Sequence, residues 1–98
     1  MKVEHMNHDK SGDFRLVNES NNEVVGKMTY LWENEDVMII EHTEIDPEFQ
    51  GKNLGEKLVE AAVDYVRKTD KKIIPLCPFA NAVFRRRTEY SDVLTTNE

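Results

Sequence analysis

The chain is short of the residues from which many sites are built. It has one cysteine, Cys77, in 98 residues, which excludes an intramolecular disulfide and suits a reducing compartment. His5 and His8 stand three apart with no further His or Cys nearby, so they read as surface residues and no metal is expected. The longest aliphatic run, Val37-Met38-Ile39-Ile40, is far below the roughly 20 apolar residues that cross a bilayer. Met1 to Lys10 is polar and lacks the apolar core of a signal peptide, so a cytoplasmic protein with no membrane partner is expected. Basic residues are outnumbered, 13 against 19 acidic, and a net charge of −6 argues against non-specific nucleic-acid binding, which rests on neutralising phosphates. There is no Walker loop, no G-x-G-x-x-G fingerprint, no repeat and no low-complexity tract.

What is present fits one domain over residues 1–98, with residues 1–10 and 95–98 frayed. Residues 2–6 offer a short edge strand, and Ser11-Gly12-Asp13 marks a turn. Phe14 to Val17 reads as a strand, Asn18 to Asn22 breaks it, and Val24 to Trp32 is β-rich. After the polar turn Glu33 to Asp36, Val37 to Ile45 alternates. Val37, Ile39, Glu41, Thr43 and Ile45 fall on one face, with Met38, Ile40, His42 and Glu44 on the other. A helix from Leu54 to Lys68 carries an apolar stripe at Leu54, Leu58, Ala62 and Val66. Lys72 to Cys77 is a short strand reached by a β-α-β crossover, in which Pro75 argues for an unpaired or splayed position. A second helix covers Ala80 to Arg87, and Glu89 to Leu94 has no readable structure. The class is α+β: antiparallel strands, then a β-α-β crossover, with helices packed on the sheet.

The stretch from Ile45 to Gly55 organises the chain. Gly51 and Gly55 have no Cβ and Asn53 tolerates positive φ, so successive N–H groups can turn toward one point. The first amides of a helix are unpaired, its dipole favours negative charge, and Lys52 and Lys57 add positive charge. Such a junction suits a pyrophosphate, although many strand–loop–helix junctions with two glycines bind nothing. Ligands in β-α-β units bind where strands part at their carboxyl ends, which brings residues 46–55 and Leu76-Cys77-Pro78-Phe79 to one mouth.

His42-Thr43-Glu44-Ile45-x-Pro47, Gln50-Gly51-Lys52-Asn53-Leu54-Gly55 and Pro75-Leu76-Cys77-Pro78-Phe79 together resemble the GNAT N-acetyltransferases, over about Phe14 to Leu94. The family's cofactor motif is Q/R-x-x-G-x-G/A, and Asn53 replaces its first glycine, putting a Cβ before the phosphates. The resemblance implies a GNAT-like fold and acetyl-CoA as co-substrate, held by Ile45, Gln50, Gly51, Lys52, Asn53, Leu54 and Gly55. It also implies an N-acetyltransferase acting on an amine, alternatively a CoA-binding interaction module with weak or no turnover. Asn81, read as opening the second helix, is either its cap or a contact to the pantetheine arm. Arg85-Arg86-Arg87 reads as a solvated helix face that can reach the cofactor's 3′-phosphate.

Cys77, His42 and Glu44 are the catalytic candidates. Cys77 is a nucleophile, an acid for the departing CoA thiolate, or a buried small hydrophobe; His42, if adjacent, would ionise it. The acidic balance favours a cationic acceptor, a small amine or a protein lysine, and a monomer is expected. Glu41 is an alternative base, and the oxyanion donor is expected from a backbone N–H on the strand ending at Ile45.

Overall fold

Phe14 and Leu16, Met28 and Tyr30, and Met38 and Ile40 each stand two residues apart, and a period of two calls for strands with one buried face. In the computed structural model, which describes residues 1–95, they line the inner face of one five-stranded sheet. Its strands are β1 (Lys2–Asn7), β2 (Ser11–Asn18), β3 (Glu23–Asn34), β4 (Val37–Ile45) and β5 (Lys72–Pro75), in spatial order β1-β2-β3-β4-β5. The first four pair antiparallel, and β5 lies parallel to β4 across the crossover. The expected α+β class and the β-α-β unit are both found. Ser11-Gly12-Asp13 is strand rather than turn, the turn being closed by the His8 amide on the Ser11 carbonyl at 2.8 Å. Gly12 is required there because a Cβ would sit 2.4 Å from the Tyr30 hydroxyl crossing above it.

Helix α1 (Leu54–Thr69) supplies the crossover. Its stripe of Leu58, Val59, Ala62, Val63 and Val66 is fully buried on the sheet. Burying each Leu or Val side chain is worth about 1.5–3 kcal/mol, so packing rather than propensity holds the helix. Arg67 and Lys68 lie in its last turn, where cations suit the dipole. Helix α2 (Pro78–Arg86) adds Ala80, Val83 and Phe84 to the same core. The segment left unread, Glu89 to Leu94, is mostly a 3-10 helix over Thr88–Val93, fixed by Arg67, which binds the Asp92 carboxylate at 2.6 Å and the Glu89 carbonyl at 2.7 Å.

The expectation that residues 1–10 fray is corrected for Lys2–Asn7, each of which has a partner on β2. Side chains explain why. His5 is not a surface residue: it is half-buried, stacks on Phe14 with centroids 4.1 Å apart, and donates from Nε2 to the Tyr30 hydroxyl at 2.6 Å. That hydroxyl donates to Asn7 Oδ1 at 3.0 Å. Of the expected frayed residues 95–98, Thr95 donates its amide to the Ile73 carbonyl at 3.0 Å, and the other three lie outside the described residues.

Burial lowers the His5 pKa from its ordinary value of 6.5, only partly opposed by the Asp13 carboxylate. The unfolded chain therefore binds the proton more readily, and stability must fall as pH drops from about 6.5 toward the lowered folded value. His5→Gln is expected to flatten that part of the curve. Urea unfolding of both proteins between pH 7 and 5 checks this, and parallel slopes would count against it.

Candidate functional site

Two irregularities of the sheet make the site. The first is a bulge in β4: Tyr30 pairs with Ile40 but Thr29 pairs with His42, so Glu41 is an extra residue. One inserted residue exchanges the faces of everything after it. Thr43 and Ile45 therefore join Met38 and Ile40 on the helix side, while His42 and Glu44 point to the helix-free face. The expected placement of His42 and Glu44 beside Met38 and Ile40 is thus corrected. The second irregularity is the early end of β5. Pairing with β4 stops at Ile40↔Pro75, and the Cys77 amide makes the last bond, to the Ile40 carbonyl at 3.0 Å. Past that point β4 continues alone on this side. Alternation from the Asp46 amide, which donates to Val25 on β3 at 2.8 Å, turns the Thr43 and Ile45 N–H groups toward the gap.

The recess beside this gap holds about 380 Å³ and is lined by Thr43, Ile45, the loop after β4, the start of α1 and Phe79. Of the expected cofactor residues, Ile45, Gln50, Gly51, Asn53, Leu54 and Gly55 line it; Lys52 and Asn81 do not. Gln50 Nε2 donates to the Ile45 carbonyl at 3.0 Å, folding the loop back on the strand. Gly51 (φ 79°) and Asn53 (φ 59°) both take left-handed backbone, as their types suggested. Among the described residues the Gly51, Lys52 and Asn53 amides donate to no protein acceptor, and the first turn of α1 adds its unpaired amides. These donors lie at the positive end of a 16-residue helix, a position that suits a polyanion. The Lys52 ammonium lies 5.8 Å from the Phe49 ring centroid at the rim. A carboxylate, Glu56, occupies the first turn and is paired by both Arg86 and Arg87, the latter at 3.4 Å, so two of the three arginines are tied to α1 while Arg85 is exposed.

The catalytic candidates are not gathered at one point. Cys77 is 4% exposed and caps α2, behind the recess lining; its thiol donates to Thr43 Oγ1 at 3.4 Å. His42, the neighbour expected to ionise it, is on the other sheet face. There His42 Nε2 lies 2.9 Å from Glu44 Oε1, with side chains 63% and 77% exposed. Asn81 does not open α2, which starts at Pro78; its side chain donates to the Pro75 carbonyl at 3.4 Å, the acceptor left where the strand breaks off. Thr43 lines the recess without having been singled out from the sequence, whereas Phe79 was expected at the mouth and is found there. The signal for Thr43 was a slip of phase, with apolar or small residues at 38 and 40 and then at 43 and 45. Among the described residues no three His, Cys, Asp or Glu side chains converge on a metal position. No helix among them is long and apolar enough to cross a membrane.

Residues 13–93 match the sequence profile of the GCN5-related N-acetyl-transferases. No curated protein sequence is significantly similar to the chain. The structure superposes on a GCN5-like protein of Staphylococcus aureus, solved by NMR, with a TM-score of 0.71 and 28% identity over 97% of this chain and 90% of that one. It also superposes on the ribosomal-protein-S18-alanine N-acetyltransferase of Escherichia coli, with a TM-score of 0.67 and 18% identity over 82% and 53% of the two chains. A GNAT family acetyltransferase from Elizabethkingia anophelis, with acetyl-CoA bound, gives 0.59 and 15% identity over 67% and 42%. These last two share the fold, and the chain spans about half of their length.

A Cβ on Gly55 would stand 2.5 Å from Cζ of Phe79, the free end of a side chain that is 38% exposed. Gly55→Ala should therefore swing the ring out of the recess at little cost, since Ala gains about 1 kcal/mol of helix propensity over Gly. Expected are loss of the nuclear Overhauser contacts between Phe79 and residue 55 and a stability change within about 1 kcal/mol. A loss of 3 kcal/mol with the contacts retained would show the ring to be locked.

Proposed function

The chain belongs to the GCN5-related N-acetyl-transferase family, and on that premise we propose that it binds acetyl-CoA in the recess at the β4–β5 gap and transfers the acetyl group to an amine. One observation carries this reading: a loop of unpaired amides, with Gly51 and Asn53 in left-handed backbone, opens α1 where β4 stands without its neighbour. The pyrophosphate would lie on the amides from Gly51 to Gly55, with Lys52 at its rim. The pantetheine arm would run between Phe79 and the free edge at Thr43 and Ile45, whose N–H groups can also hold the thioester oxygen as it becomes an oxyanion.

The chemistry has one costly requirement. An alkylammonium of pKa about 10.4 must give up a proton at pH 7, which costs about 4–5 kcal/mol. The acceptor enters from the helix-free face, and the His42–Glu44 pair takes that proton. The amine lone pair then attacks the thioester carbonyl, the second amine proton passes to water as the C–S bond breaks, and the departing CoA thiolate takes the thiol proton of Cys77 relayed by Thr43 at the recess wall. Cys77 regains a proton from water through Thr43, its hydrogen-bond partner. The acceptor is a cation, a small amine or a protein lysine, drawn to a chain of net charge −6, and the protein acts as a cytoplasmic monomer.

Titrating acetyl-CoA into the nitrogen-15-labelled protein tests the binding half. The amides of residues 45–55 should shift, and Gly51→Glu should abolish the response through left-handed strain and an added negative charge. Unmoved amides at millimolar cofactor would end the proposal. Turnover tests the rest: His42→Gln should lower kcat by about 10²-fold with the KM for acetyl-CoA unchanged. Cys77→Ala at full kcat would remove the thiol from the mechanism and leave it a core residue.

A further inference from the structure

A second recess is larger than this one. It encloses about 670 Å³ between the β3–β4 turn and the C-terminal half of α1. Tyr65 on its wall stands ten residues along α1 from Gly55, and Asp36 nine residues along the chain from Ile45, so the two recesses are about 15–30 Å apart. Its inner wall is an aromatic corner, the Trp32 and Tyr65 rings with centroids 6.3 Å apart. Asn7 pins both: its Oδ1 accepts from Trp32 Nε1 at 3.0 Å, and its Nδ2 donates to the Tyr65 hydroxyl at 3.3 Å. A pinned indole loses little freedom when something settles on it.

Something already does. The Lys71 ammonium lies 5.5 Å from the Trp32 centroid and donates to the Glu35 carbonyl. The ring face is therefore used as a cation seat within the chain itself. Four carboxylates line the recess, Asp9, Glu33, Glu35 and Asp36, against two ammoniums, Lys10 and Lys71. The negative excess is spread out, because no three acidic or His side chains converge as metal ligands among the described residues. Charge separated along a rim suits a cation whose own charges are separated along a chain, rather than a metal ion.

We propose that this recess binds a linear aliphatic diamine or triamine. One ammonium displaces Lys71 from the Trp32 face, the methylene chain lies along the Trp32–Tyr65 corner, and a second ammonium meets the rim carboxylates. The site is separate from the acetyl-CoA recess, so it stands or falls independently of the proposed acetyl transfer.

Trp32 is the sole tryptophan of the chain, so its fluorescence reports on this recess alone. Titration of the whole protein with 1,4-diaminobutane at constant ionic strength should give a saturable change in emission, and 1,4-butanediol should give none. Glu33→Gln with Asp36→Asn should raise the half-saturation point about fivefold, with the far-ultraviolet circular dichroism unchanged. Lys71→Ala removes the internal competitor and should lower that point more than Lys10→Ala, which deletes the same charge but leaves the indole occupied. Gly51→Glu should titrate like the native protein. An unsaturable response, an equal response to the diol, an unaffected double variant, or Lys71→Ala binding no tighter than Lys10→Ala would each overturn the proposal.

Discussion

The last hydrogen bond between β4 and β5 is the constraint on which the rest depends. Amides alternate along β5, and since that of Lys72 faces β4, position 76 is the next due to bond it after Ile74; the Leu76 amide instead turns back on the Ile74 carbonyl at 3.2 Å, and the next amide to reach β4 is that of Cys77, on the Ile40 carbonyl at 3.0 Å. With Pro78 opening α2 directly afterwards, the chain leaves the sheet. Glu41 to Ile45 then runs on with β3 at one side and no strand at the other. A strand edge normally invites pairing with another chain, and here it is short and sheltered by the loop before α1 and by Phe79. The same break frees the Pro75 carbonyl for Asn81 and brings the Cys77 thiol to Thr43.

Much of this was legible from local pattern. The period of two gave the strands, the stripe from Leu58 to Val66 gave α1, and the glycines and Asn53 gave the loop with its left-handed backbone. Pro75 was expected to be unpaired or splayed, and it is instead the last ladder residue, opposite Ile40. The faces of His42 and Glu44 were misread because alternation was carried unbroken through Glu41. A bulge needs one extra residue, and two adjacent polar residues, Glu41 and His42, are compatible with either phase. The pairing of Thr29 with His42 and Tyr30 with Ile40 decides between them, and that is information from a neighbouring strand.

The edge strand expected at residues 2–6 is present as β1, but the fraying expected over residues 1–10 is not, for a related reason. Residues 2–7 are polar and exposed along much of their length, so local composition predicts fraying. Their order comes from partners far away in sequence. His5 lies between Phe14, Tyr30 and Tyr65, and Asn7 satisfies three aromatic side chains at once. Such pairings are invisible to any window of ten or twenty residues. Asn81 is a smaller case: asparagine near a helix start reads as a cap, but the cap position belongs to Cys77, and Asn81 serves the carbonyl exposed by the broken strand.

Net charge is a poor guide to what an individual recess accepts. The chain carries −6, yet its α1 entrance is suited to a polyanion, and Glu56 shows how that is reconciled. A carboxylate in the first turn stabilises the helix dipole, by about 0.3–1 kcal/mol at an exposed position, but it also opposes any phosphate placed there. Arg86 and Arg87 at the end of α2 both pair with it, which offsets its charge without removing it from the helix end. Those arginines can reach Glu56 only because α2 docks on α1 through Ala80, Val83 and Phe84. The charge balance of the loop is therefore a consequence of tertiary packing. A helix that leaves the sheet at Pro78 both opens the gap and delivers the cations that make the adjoining loop hospitable to an anion.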